Sequence, residues 1–279
     1  MTPSPADGLP LDALMQATIA GILACLACGL GALPLAIKSI DPARHRGLGY
    51  AVAGGLMFAA SVYNLILPAL QMGQSPDEFQ IDLVHIGPIL IGILLGAGFL
   101  ALTDRYLDHD HEEILTPDGS QQPTKHYGWG GRVGLLVLIA MTVHSIPEGV
   151  AVGTGYTSDA AGLTNNLGPV LALAIGIHNI PEGLAVAIPL RAAGASIWRC
   201  FWAAVLTSVP QPIAAVPAVL LAWFFQPLMP LLMGFAAGAM IFLIVLELIP
   251  HALEEEKPTP IAWAFTLGFC AMLLVQVVL

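Results

Sequence analysis

An all-α integral membrane protein with eight transmembrane helices is the architecture this sequence predicts, and three observations carry the prediction. Hydrophobic residues make up 57% of the 279 positions and charged ones only 10%, with a mean hydropathy of +0.80, a balance typical of chains whose solvent is lipid. Apolar runs long enough to cross a bilayer, which takes about 20 helical residues, recur near 12–37, 48–70, 84–102, 131–156, 168–190, 198–222, 228–252 and 259–279. The third observation concerns charge: Lys38, Arg44, Arg46, Arg105, Lys125, Arg132, Arg191, Arg199 and Lys257, all nine basic residues, sit in or beside alternate connections. One missed or invented helix would scramble that pattern. The positive-inside rule makes those connections cytoplasmic and leaves both termini and the segments around 71–83, 157–167 and 223–227 outside.

Taken in order, the first span lacks the basic flank and small-residue cleavage site of a signal peptide and reads as a retained helix. Its Cys25 and Cys28 form a C-x-x-C inside a Gly, Ala and Leu-rich run, where packing is the plainer reading than redox or metal work. In the second span Met57, Ser61, Asn64 and Pro68 recur at helical spacing. Met57 falls near mid-membrane, as a soft thioether ligand or as plain packing. After the third span, residues 103–130 form the longest polar segment, a cytoplasmic loop whose His109 and His111 stand among acids. A solvated charged loop and a weak accessory cation site are both open there.

The sixth span sets Gln211 between Pro210 and Pro212, a polar kink in an apolar run. The seventh carries Glu247 and His251 one turn apart near its inner end, a possible end of an ion path, with snorkelling of His251 to the interface as the alternative. No linker divides the chain, so residues 1–279 read as a single polytopic membrane domain. A net charge of −10 without any basic stripe excludes a nucleic-acid surface.

The fourth and fifth spans hold the chemistry. HSIPEGVAVG begins at His144 and HNIPEGLAVAIP at His178, 34 positions later, a separation of one helix and one short turn. The two helices are therefore antiparallel and their motifs meet near mid-bilayer. Within each copy the His and Glu stand four apart, His144 with Glu148 and His178 with Glu182, so each pair shares a helix face. Pro147 and Pro181 cannot donate backbone N–H groups, which frees the carbonyls of Val143 and Ile177 and is expected to open each helix beside the site. Gly149 and Gly183 allow a neighbouring helix to approach closely.

A charged side chain at the centre of a bilayer costs roughly 3 kcal/mol even on the milder insertion scales. Two imidazoles and two carboxylates together suit Zn²⁺ or another first-row dication, whose charge the two carboxylates balance. The plainer alternative is polar glue, each His/Glu pair bonding only to its partner or to a freed carbonyl. A membrane-embedded zinc-dependent hydrolase is the alternative function, with three ligands on the metal and a carboxylate activating water. Against it, H-E-x-x-H and G-x-S-x-G are both absent. No P-loop is present either, so direct use of ATP is not indicated.

The repeated H-x-x-P-E-G, together with GGLMFAASVYNLILPA at 54–69 and AAGAMIFLIVLELIPHA at 236–252, resembles the ZIP (Zrt-, Irt-like protein) family of divalent-metal transporters, more so its bacterial branch. The likeness extends over the whole chain. It implies a substrate site of His144, Glu148, His178 and Glu182, with Met57 lending a ligand, and no catalytic cofactor. It further implies a second site at Ser145, Asn179, Glu182 and Gln211. The positions of Ser145 and Gln211 are commonly Asn and Glu in the family, so that second site is expected to be weak here. Ser61, Asn64, Glu247 and His251 are candidate pathway residues. The resemblance also implies a homodimer in the bacterial inner membrane, in which a bundle holding the site moves against a static one and admits Zn²⁺, Fe²⁺, Mn²⁺ or Cd²⁺ to the cytoplasm.

Overall fold

A computed structural model describes residues 11–37, 46–71, 83–109, 131–162 and 165–278. Eight helices in it are long and apolar enough to cross a membrane, as the sequence predicts, and no strand occurs among the described residues. They are α1 (Leu11–Ala36), α2 (Gly47–Gln71), α3 (Ile86–Tyr106), α4 (Gly134–Ala160), α5 (Leu167–Ala192), α6 (Ile197–Leu220), α7 (Gln226–Glu255) and α8 (Pro258–Gln276).

The helices sort into two groups by their packing. In one, α1, α4, α5 and α6 pack on one another; in the other, α3 packs on α7 and α8 on α2, with α2 and α7 in contact. The groups meet chiefly where α2 faces α5 and α7 faces α4. Helices α3 and α8 are peripheral, with only 22% of their most apolar stretch buried, against 67% for α4. Lipid is as apolar as leucine, so such helices associate by close van der Waals packing across small residues. The pair α3 and α7 does this from both sides. A Cβ added at Gly96 would stand 1.9 Å from the Phe235 carbonyl oxygen, and one at Gly238 2.1 Å from that of Ile93.

Two connections are fixed locally. Asp159 at the end of α4 accepts from the backbone N–H groups of Leu167 (3.0 Å) and Gly168 (2.7 Å) at the start of α5, covering orphan donors where negative charge is favoured. Ser196 caps α6 by accepting from the Arg199 N–H at 3.3 Å.

In three places the structure departs from the sequence reading. The third helix continues to His109, so residues 103–109 of the expected loop are helical; His111 and the rest of that loop lie outside the described residues. The fourth helix runs to Ala160, past the expected end near 156, and so carries Asp159 to the start of the next helix. The prolines of the motif do not open their helices: α4 is continuous α-helix past Pro147, and α5 past Pro181. Widened turns occur instead in α2 and α7, at Ser61–Ile66 and Ile244–Leu248. Pro68 and Pro250 follow these turns and remove the N–H that an ordinary turn would use. At the motif prolines, tight packing of α6 and α1 on the next turn holds the α-helical path.

Candidate metal centre

The four motif residues lie near the middle of α4 and α5 and are almost completely buried: His144 at 0%, Glu148 at 5%, His178 at 5% and Glu182 at 3% exposure. Glu148 Oε1 is the hub. It lies 3.0 Å from His144 Nε2 on its own helix and 2.8 Å from His178 Nε2 across on α5. His144 Nε2 in turn lies 3.0 Å from Glu182 Oε1, so each glutamate reaches the histidine of the other copy. Candidate ligand atoms of His144, Glu148 and Glu182 all fall within 4.8 Å of one another, and His178 joins through Glu148. The Nδ1 of His144 is buried without a hydrogen-bond partner. With Nε2 of His144 facing two carboxylates, the cluster presents the N and O donor types that a divalent cation takes.

Close packing positions these residues. A Cβ on Gly149 would stand 2.2 Å from the Gln211 carbonyl oxygen, and one on Gly183 1.7 Å from that of Cys28, so α6 and α1 press their backbones onto the turns that carry Glu148 and Glu182. The α-helix of the sixth span breaks at Val209, between Ile197–Ser208 and Pro210–Leu220, since Pro210 and Pro212 lack donors. The backbone at Val209 nonetheless keeps helical dihedrals, φ −54° and ψ −34°, and Gln211 is buried. Its Nε2 donates to Glu148 Oε2. Its Oε1 accepts from Asn179 Nδ2 at 3.0 Å, and the same amide donates to the Ala24 carbonyl at 2.9 Å.

The remaining candidates are distributed as follows. Ser145 is buried and donates to its own helix at the Met141 carbonyl, 3.0 Å away. Met57 is fully buried on α2, the helix that faces α5, and Ser61 donates to the Met57 carbonyl at 2.8 Å. Asn64 lies in the widened turn of α2, with both amide atoms buried and without a hydrogen-bond partner. Glu247 occupies the matching turn of α7, buried, with His251 donating from Nδ1 to its carbonyl at 2.9 Å and standing 3.6 Å from its Oε2. The structure thus brings Asn179 and Gln211 to the central group but gives Ser145 no part in it. His109 ends its helix. Sequence reading missed the carbonyl of Ala24, because nothing in an Ala and Gly-rich helix marks one backbone oxygen above another. Cys25 donates to the Val205 carbonyl at 3.3 Å and Cys28 is buried, both as free thiols; the packing reading of C-x-x-C fits them.

Two antiparallel His/Glu motifs closing on one buried point match a known pattern. A family model described as ZIP Zinc transporter matches residues 107–276. The chain belongs to the ZIP zinc transporter family. Similar proteins include the zinc transporter GufA of Myxococcus xanthus, 34% identical over 259 residues that cover 90% of this chain and 95% of that one. The zinc transporter ZIPB of Bordetella bronchiseptica is 32% identical, covering 94% of this chain and 81% of its own. Human zinc transporter ZIP11 is 30% identical, covering 81% and 86%. The ZIP family and these relatives are transporters and not enzymes, so the alternative of an embedded zinc-dependent hydrolase finds no support.

Proposed function

We propose that this integral membrane protein moves divalent transition-metal cations, Zn²⁺ foremost, into the cytoplasm through the His144, Glu148, His178 and Glu182 site. The carrying observation is the shared hub: carboxylate and imidazole groups from both motifs converge within ligand reach of one another, buried between the helices. A dication there neutralises two carboxylates that lipid would otherwise penalise. The relatives support the substrate, being named zinc transporters. Fe²⁺, Mn²⁺ and Cd²⁺ fit the same N/O donor set, whose preference availability can override.

The inward direction follows the family resemblance, and the reading of both termini as lying outside the cytoplasm follows the distribution of the nine basic residues; the absence of a dividing linker supports one polytopic domain, and the bacterial relatives support an inner membrane. Alternating access is supported by the packing of the helices into two groups with the site held by α4 and α5. Met57 is the adjoining soft ligand; Ser61, Asn64, Glu247 and His251 line the route. Ser145, Asn179 and Gln211 make at most a weak second site, and His109 and His111 an accessory one. The peripheral face of α3, with Leu90, Ile91, Leu94 and Leu95 exposed, meets lipid or a second copy in a homodimer.

Proteoliposomes loaded with a zinc-sensitive dye test the proposal. Wild-type protein takes up Zn²⁺, whereas Glu182→Ala and His178→Ala proteins, intact by size-exclusion chromatography, take up none above protein-free vesicles. Normal uptake by both variants would overturn it.

A further inference from the structure

The amide of Gln211 has its polarity fixed by its partners: Oε1 accepts from Asn179, while the amino group donates to Glu148 and, at 3.4 Å, back to Asn179 Oδ1. At one end of its chain stands the Ala24 carbonyl, which can only accept, so Asn179 must present its amino group there. The same amino group also donates to Gln211 Oε1 at 3.0 Å. At the other end stands a carboxylate oxygen, Glu148 Oε2, which takes the Gln211 amino group. Both ends fix the polarity, so neither amide can flip without setting donor against donor or acceptor against acceptor. Gln211 therefore turns an N–H, and not its carbonyl, toward the charged group. A cation seeking the Gln211 oxygen finds it already bonded, and next to it a positive N–H edge.

We propose that Gln211, held by Asn179, is a positioning residue that restricts Glu148 to a single oxygen for the metal. The inference rests on the transport reading of the same site. Glu148 Oε1 faces both histidines and Oε2 is spent on the amide, so a substrate ion meets a monodentate carboxylate. An outer-shell partner of this kind typically contributes a factor of about 10–100 in metal affinity. The relay also joins all four helices of its group, from the Ala24 carbonyl on α1 through Asn179 on α5 and Gln211 on α6 to Glu148 on α4.

Purified full-length protein in detergent tests this with two probes, Zn²⁺ per chain by equilibrium dialysis and Co²⁺ by its d–d absorption. Wild type binds one ion at the buried site. Gln211→Met, similar in size but without a donor, still binds one, about 10–100-fold more weakly. Its Co²⁺ absorption is diminished, because a released Oε2 raises the coordination number. Asn179→Ala shifts affinity and absorption the same way. A Gln211→Met protein with wild-type affinity and Co²⁺ spectrum would overturn the positioning role. If His178→Ala abolishes uptake while Gln211→Met is silent, only the positioning role falls. Wild type that neither binds nor moves metal takes the transport reading down with it.

Discussion

Glu148 spends its two oxygens on different partners, and His144 spends one nitrogen on two carboxylates, so the four motif residues are unequal. His144 Nε2 touches both glutamates, whereas His178 Nε2 touches only Glu148. Removing His144 leaves two buried, facing carboxylates without the imidazole between them; removing His178 leaves that link intact. We expect His144→Ala to lower Co²⁺ affinity more than His178→Ala does, by at least tenfold, in titrations of the purified protein. Equal losses would show that the ion sits evenly between the copies. The pairing across copies was beyond reach of the sequence. Spacing of four places each His and Glu on one face, but which glutamate meets which histidine depends on helix rotation and separation.

Close approach of backbones is the rule for these helices, and its cost of disruption differs sharply from glycine to glycine. A Cβ at Gly183 meets the Cys28 carbonyl oxygen at 1.7 Å, while one at Gly176, two turns earlier on the same helix, meets nothing nearer than 3.9 Å. Gly183→Ala should therefore destabilise by about 3 kcal/mol or more, as overpacking against backbone does, and should lower the midpoint of thermal unfolding in detergent. Gly176→Ala should be neutral or slightly stabilising, by up to about 1 kcal/mol, through the gain in helix propensity. If both alanines behave alike, the contact between α1 and α5 is not where the geometry places it. A glycine in the H-x-x-P-E-G repeat signals close packing from sequence alone; which helix it admits is a tertiary fact.

Across the whole molecule, the site belongs to α4 and α5, and these two helices form most of the boundary with the other group. Alternating access by relative movement of the groups requires that boundary to slide. Gly49 on α2 lies against Ile188 on α5, within 2.7 Å of an added Cβ, whereas Gly54 and Phe265 face each other inside one group at 3.5 Å. A disulfide between Gly49→Cys and Ile188→Cys should stop Zn²⁺ uptake in proteoliposomes and release it on reduction. One between Gly54→Cys and Phe265→Cys should leave uptake within about twofold of the reduced control. Unchanged transport with the first pair fully cross-linked would mean that the groups do not move past each other.

Span number and the antiparallel facing of the two motifs were legible in the sequence itself, and residue type pointed to a dication before the family relation supported one. They follow from hydropathy, charge alternation and residue type, all local properties that a bilayer reads directly. The continuity of α4 and α5 past Pro147 and Pro181, the burial of Gln211 against Glu148 and the engagement of Asn179 with the Ala24 carbonyl were decided only in the folded molecule. A proline loses a hydrogen bond wherever it stands, but whether the helix then opens depends on the neighbour pressed against that turn. A buried amide, likewise, takes the orientation that its partners on other helices leave to it.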